Sequence, residues 1–265
     1  MEELIYRGQG ESHPIEVSDD GPLRYLRFGA EESQSCLHLE RPHELQLAYT
    51  RWMMTALLFP PNPGRFLLCG LGGGAIAHFL HHHHPEARLD IIEKEEEVIR
   101  VADTFFKLPR GPRLQVLHAD VVDHLCRTPQ APCYDVAFID IFGPRSMAPP
   151  LFVPAFYHDL LQRLSPQGVL AVNLWNGELE LFGRARRALA ESCNHQLLQL
   201  AVKKRSNTIL LAFPTTLPKD TIKRARKEIP LYQQRYRLPF HRYLKRLRRT
   251  NKLAAILAQA ELFLP

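Results

Sequence analysis

The hydrophobic positions of this 265-residue chain come in short bursts whose spacing changes along its length. Between residues 12 and 39 the runs PIEVSDDG, PLRYLRFG and SQSCLHL are rich in β-branched, aromatic and leucine residues and are punctuated by DDG and GA turn signals. They predict a small antiparallel sheet. From Pro42 to Phe59, Leu45, Ala48, Trp52 and Thr55/Ala56 recur at helical spacing, and PPNPG then breaks the chain. Beyond that break the pattern becomes strand, helix, strand. RFLLCGLG leads into a helix through Leu80, RLDIIEK into Glu95–Phe106, LQVLHAD into VVDHLCR, YDVAFIDIF into a helix from about 151 to 164, and GVLAVNLW into ELELFGRARRALAESC. HQLLQLAV and NTILLAFP read as a closing antiparallel pair. Apolar strands without alternation, each followed by a helix, belong to a sheet covered on both faces. The expected fold class is α/β, a doubly wound Rossmann-like sheet. The expected division is a small N-terminal β domain over 1–41, the doubly wound domain with its leading helix over 42–217, and a basic helical segment over 218–265.

Composition narrows the class. With 45% hydrophobic residues and a net charge of +6, the chain is not disordered as a whole. No window approaches the ~18 consecutive apolar residues of a membrane span, and MEELIYRGQGESHPIEV lacks the features of a secretory leader. Five scattered cysteines (Cys36, Cys69, Cys126, Cys133, Cys193) form no CxxC, so buried, reduced thiols in a cytoplasmic protein are expected. The positive charge is concentrated, since residues 219–252 hold 13 Lys/Arg against Asp220 and Glu228. Such a stripe binds phosphate-rich or acidic partners, or is the solvated face of a helix over Leu244, Leu247, Leu253 and Leu257. No nucleic-acid motif accompanies it, which favours the solvated face.

Open α/β sheets bind ligands beyond the carboxyl ends of their strands, and the informative residues stand there. The first strand ends in Gly70-Leu71-Gly72-Gly73-Gly74-Ala75, a turn that brings backbone close to a ligand or simply joins strand to helix. The second ends at Glu93, 23 residues after Gly70, where a carboxylate receives a ribose diol or caps a helix. The third ends at Asp120 and the fourth at Asp140. Together they suit an adenosine ligand, with Glu93 on the ribose, Asp120 on the adenine amino group and Asp140 facing a cationic tail. A nicotinamide dinucleotide remains an alternative, against which Asp120 and Asp140 argue. His81–His84 are expected to complement a helix dipole rather than bind metal. Ser146 lies in no GxSxG elbow, and no metal is expected. Tyr49 and Trp52 read as core or as site.

GLGGGA, IIEKEEEV, LQVLHADVVDHL, YDVAFIDIF and LSPQGVLAVNLW, in that order, resemble the spermidine synthase family of aminopropyltransferases, over roughly residues 15–215. The resemblance implies the class I methyltransferase fold with a small N-terminal β domain. It also implies S-adenosylmethionine or its decarboxylated form as substrate, and a homodimer. Gly70, Gly72 and Gly74 match the family's nucleoside loop, Glu93 its ribose acid, and Asp120, with Val121 beside it, its adenine contact. Gln34 and Tyr49 match ligand contacts from the leading segments. Asp140 matches the first acid of Asp-x-x-Asp, and Tyr157 a tyrosine beyond it, so these two are the expected catalytic residues. The departures are Gly73 in place of the loop acid, Gly143 in place of the second acid, and Thr50-Arg51 after Tyr49. The expectation is a transferase acting on an S-adenosyl donor, with aminopropyl transfer to a polyamine put in doubt by the lost acids. Methyl transfer to another acceptor and nucleoside binding without catalysis are the alternatives.

Overall fold

A computed structural model describes residues 2–29, 33–128, 134–142, 147–203, 205–216 and 221–261, with side chains as far as residue 251. Four strands, β1 (Glu3–Gln9), β2 (Pro14–Asp20), β3 (Leu23–Arg27) and β4 (Ser33–His38), form an antiparallel sheet in chain order. The expected sheet is there, with β1 added. The run ELIYRGQ buries none of its side chains fully, so its apolar signal is faint.

The predicted helix over 42–59 is much shorter. Helix α1 spans Ala48–Met53 and tightens into a 3-10 turn over Met54–Leu58. Before it, the Glu44 amide closes a turn on the Arg41 carbonyl at 2.9 Å. Leu45 is the only buried side chain in 40–47, so no apolar stripe extends the helix backwards.

The remaining elements follow the predicted alternation: β5 (Arg65–Cys69), α2 (Ala75–His83), β6 (Arg88–Glu93), α3 (Glu96–Phe106), β7 (Leu114–His118), α4 (Val121–Arg127), β8 (Tyr134–Ile139), α5 (Pro154–Leu161), β9 (Leu164–Trp175), α6 (Leu179–Ser192), β10 (Leu197–Ala201) and β11 (Asn207–Ala212). They build one seven-stranded sheet in the order β10-β11-β9-β8-β5-β6-β7. β9-β8-β5-β6-β7 run parallel, and β11 lies antiparallel between β9 and β10. Because side chains alternate along a strand, Phe66 and Leu68 feed the core on one face and Leu67 and Cys69 the core on the other. Val136 and Phe138 against Ala137 and Ile139 repeat the pattern, which is why these strands read as unbroken apolar runs.

The chain winds outward from β5 in two directions, through β6 and β7 on one side and β8 and β9 on the other. The switch point therefore lies at the carboxyl ends of β5 and β8, where this architecture opens a crevice.

The basic segment forms two helices, α7 (Thr221–Tyr236) and α8 (Phe240–Glu261). Tyr243, Leu244 and Leu247 are buried while Arg242, Lys245, Arg248 and Arg249 face solvent. The expected Leu253 and Leu257 of that stripe have side chains outside the described residues. α8 also closes an open sheet edge. Asn251 accepts from the Gln199 amide at 2.9 Å and donates to its carbonyl at 3.0 Å, pairing with edge strand β10 as a further strand would.

Two of the four histidines, His83 and His84, depart from expectation. His84 is buried under Tyr236, its Nε2 3.0 Å from the Tyr236 hydroxyl. Burial first, then neighbouring cationic groups, pushes His83 down to about 4 and His84 to about 3. Both are neutral at neutral pH, so neither supplies charge to the α2 dipole. Cys36, Cys69 and Cys193 are buried free thiols, Cys126 is exposed, and Cys133 lies outside the described residues. Among the described residues, no helix is long and apolar enough to cross a membrane.

Candidate functional site

At the switch point the β5 and β8 backbones nearly touch. The Asp140 amide donates to the Cys69 carbonyl at 2.9 Å, and Gly70 turns away with φ of 91°. A β-carbon at Gly70 would overlap the Asp140 carbonyl, so both geometry and space demand glycine there. The turn then directs the Leu71 amide onto Glu93 Oε2 at 2.8 Å, while the Glu95 amide donates to Oε1 at 3.0 Å. The Lys94 backbone adds a third donor to this carboxyl. Burial raises the Glu93 carboxyl above the usual range and these backbone donors oppose it. The result is a carboxylate held rigidly at the end of β6.

Asp120 is placed by the same economy. It caps α4, accepting from the Val122 amide at 2.8 Å, with Val121 buried beside it. Asp140, at the end of β8, accepts from Asn173 Nδ2 at 2.9 Å. Burial raises its carboxyl, opposed by hydrogen bonds from Asn173 and the Tyr49 hydroxyl. Tyr49 reaches in from α1 with its hydroxyl 3.1 Å from the Gln34 carbonyl oxygen, and burial, then the Asp140 charge, raises its phenol well above the ordinary value.

These groups face one cleft of about 330 Å³, within the range of small-molecule pockets. Of the residues anticipated from sequence, Gln34, Tyr49, Gly70, Gly72, Glu93, Asp120, Val121 and Asp140 line it. Gly74 does not; it is the N-cap of α2, one step behind the turn. Tyr157 does not either, a correction to its expected catalytic placement. Its ring is fully buried in the α5 core and its hydroxyl donates to the Leu151 carbonyl at 2.9 Å. Burial pushes that phenol far above its ordinary value, so it neither reaches the cleft nor offers a proton there. Gly143 lies outside the described residues.

The cleft also has walls the sequence did not announce. Glu11 and Ser12 of the β1–β2 turn and Phe28 cover one side, and Phe142, Pro149 and Pro150 flank Asp140. The cover is tied down by a 3.0 Å Lys94–Glu11 ion pair and by the Glu11 amide on Glu95 at 3.1 Å. A β-carbon at Gly73 would stand 2.9 Å from both the Phe106 ring and Ser35 Oγ, so the space beside this glycine is already filled. Asn173 was legible as one polar residue in the apolar run GVLAVNLW, but nothing in the sequence tied it to Asp140. A larger groove of about 1090 Å³ runs along α3 and edge strand β7, where Arg100 pairs with Glu97 and Arg110 with Asp103. Among the described residues, no three His, Cys, Asp or Glu side chains are grouped to hold a metal ion.

Residues 46–194, which contain the glycine turn and all three strand-end acids, match the spermine/spermidine synthase domain. The chain belongs to the spermine/spermidine synthase family. It is 30% identical over 242 residues to a polyamine aminopropyltransferase of Chromobacterium violaceum, covering 91% of this chain and 92% of that one. It is also 30% identical over 142 residues to the human eEF1A lysine and N-terminal methyltransferase, covering 50% of this chain and 20% of that protein. Among solved structures, the fold resembles a probable spermidine synthase from Corynebacterium glutamicum, with a TM-score of 0.69 and 19% identity over 84% of this chain and 86% of that one. A spermidine synthase in complex with the transition-state analogue AdoDATO has a TM-score of 0.67 and 18% identity over 84% of this chain and 76% of that one. The aminopropyltransferase and methyltransferase relatives are both transferases.

Proposed function

We propose that the cleft binds an S-adenosyl sulfonium nucleoside and transfers an alkyl group from it to an amine, with decarboxylated S-adenosylmethionine as donor and an aminopropyl group transferred. The observation that carries this reading is the convergence of Glu93, Asp120 and Asp140 on one cleft at the switch point. In it, Glu93 receives the ribose diol, and Asp120 accepts from the adenine amino group. Gly70 and Gly72 let the backbone lie against the nucleoside. Asp140 and Tyr49 face the acceptor. The amine lone pair forms a C–N bond at the carbon beside sulfur, the C–S bond breaks toward sulfur, and methylthioadenosine leaves with the sulfur neutral. The ammonium product must lose one proton, and a carboxylate whose affinity for protons is raised by burial suits that task. The four-stranded sheet before residue 41 serves as the cover of the site, and the basic segment from residue 218 braces the sheet edge.

Methyl transfer from S-adenosylmethionine is the second reading, and one observation favours it. Where the aminopropyltransferase loop carries an acid facing the donor's amine, this chain has Gly73 packed against Phe106 and Ser35. No carboxylate there repels the donor's own carboxylate. The half-length identity to a protein methyltransferase points the same way.

Mass spectrometry of products separates the readings. Release of methylthioadenosine with spermidine from decarboxylated S-adenosylmethionine plus putrescine supports aminopropyl transfer. Nucleoside binding without methylthioadenosine moves the search to methyl acceptors, or to a binding protein that does not turn over. No binding of either donor refutes both readings.

A further inference from the structure

We infer that Asn173 and Asn207 are a positioning pair that orients the Asp140 carboxyl group toward the cleft and keeps a donor on it, although neither asparagine lines the cleft. Asn173 is 1% exposed, the single polar side chain in the run from Gly168 to Trp175. Burying an amide without partners is costly, so its two ends are committed. Nδ2 donates to Asp140 Oδ1 at 2.9 Å, and Oδ1 accepts from Asn207 Nδ2 at 3.1 Å.

The register explains the reach. Asn173 faces Ile209 and Asn207 faces Trp175 across the antiparallel β9–β11 pair, which makes the two asparagines diagonal neighbours on the sheet.

The logic of the pair is directional. An amide reads the same in outline either way round, and its neighbours decide which end is nitrogen. Because the Asp140 carboxylate only accepts, Asn173 turns its N–H₂ toward Asp140 and its oxygen toward Asn207, whose Nδ2 supplies the matching donor. Reversed, Asn173 would set an oxygen against a carboxylate. Asn207 thus acts on Asp140 without touching it.

The other groups facing Asp140 do not substitute for this donor. The Tyr49 hydroxyl from α1 has one proton and a second acceptor in the Gln34 carbonyl. Glu93 from β6, Asp120 at the start of α4, Glu95 ahead of α3 and Glu11 of the β1–β2 turn line the same cleft as acids, and Lys94 is paired with Glu11.

Only the rate readout of this inference rests on the proposed amine transfer. The titration readout stands apart from it. The full chain is labelled with [13C]aspartate, the Asp140 carboxyl resonance is assigned by its loss in Asp140→Asn, and pH titrations are compared for wild type, Asn173→Leu and Asn207→Leu. The titration midpoint is expected to move to higher pH in both variants, further in Asn173→Leu. Turnover at neutral pH is expected to fall on the order of tenfold, the scale of one hydrogen bond to a charged group. It should recover at higher pH, with KM for the donor nucleoside unchanged. Should Asn173→Leu fail to fold, Asn207→Leu and the smaller Asn207→Ser, at a partly buried position, carry the test. An unchanged Asp140 midpoint in folded Asn207→Leu and Asn207→Ser overturns the inference. So does a rate loss equal at every pH, which marks a merely structural role. If wild type transfers nothing, the functional proposal falls while the midpoints still decide this one.

Discussion

The two sides of the cleft are built differently. On the side proposed for the nucleoside, Glu93 and Asp120 come from consecutive β-α units and are held by backbone amides: that of Leu71 in the turn after β5 and that of Glu95 for Glu93, and that of Val122 for Asp120. On the side proposed for the acceptor, Asp140 at the end of β8 meets Tyr49 from α1 and Asn173 from β9, and Tyr49 in turn meets Gln34 from β4, pieces separated by up to 139 residues in sequence. Backbone anchoring ties the first side to the β-α turns of the sheet itself. The second side exists only when four distant elements dock correctly.

If the sides divide binding from chemistry, the largest effect belongs to Asp140→Asn. Turnover should fall about 10²–10⁴-fold, the usual contribution of a positioned acid–base group, while nucleoside affinity measured by calorimetry stays near wild type. Lost affinity with preserved turnover would reverse the assignment of the sides. Glu93→Ala makes the complementary cut. Removing a charged hydrogen-bond acceptor from a ribose diol should cost about 1–3 kcal/mol of nucleoside binding. A folded variant with unaltered affinity takes Glu93 out of the nucleoside half.

The same difference governs what could be read from sequence. Glu93, Asp120 and Asp140 were visible because each ends an apolar strand run whose period announces a β-α unit, and their positions follow from the sheet. Tyr157 was misplaced because a tyrosine in a short helix gives no sign of which way its hydroxyl points, and here a backbone carbonyl three residues before α5 satisfies it within the core. Asn173 stood out as polar, yet its partner lies 34 residues away across a register that periodicity does not specify. Strand β1 and the true start of α1 were obscured for the opposite reason: one buries too little to show a pattern, and the other borrows its apparent pattern from residues that lie in a turn.

Acid separates the cleft from the scaffold behind it. His83 and His84 titrate near 4 and 3 in the folded chain, because burial disfavours their cations, against 6.5 unfolded. Between those values the unfolded state binds more protons, so stability is complete above pH 6.5 and declines as pH falls toward 4 and 3. The limiting slope is about 1.4 kcal/mol per pH unit for each group, less for the partly exposed His83. Chemical unfolding across pH 7 to 4 should show this decline, and His84→Phe, which keeps a ring against Phe66 and Tyr236, should flatten it. A decline unchanged in that variant would assign the acid sensitivity elsewhere.

Tyr157→Phe yields the smallest effect and the sharpest control. The hydroxyl is committed to the Leu151 carbonyl inside the α5 core, and the ring is fully buried. Its removal should lower stability by about 0.5–1.5 kcal/mol, the net worth of one ordinary hydrogen bond, and leave turnover and its pH profile untouched. Leu151 directly follows Pro149 and Pro150, which line the cleft beside Asp140, so a wall displaced by losing this bond would raise KM for the acceptor alone. A fall in kcat would instead return Tyr157 to the chemistry, against its burial, and would require a rearrangement of the 149–157 segment that exposes the hydroxyl when substrate binds.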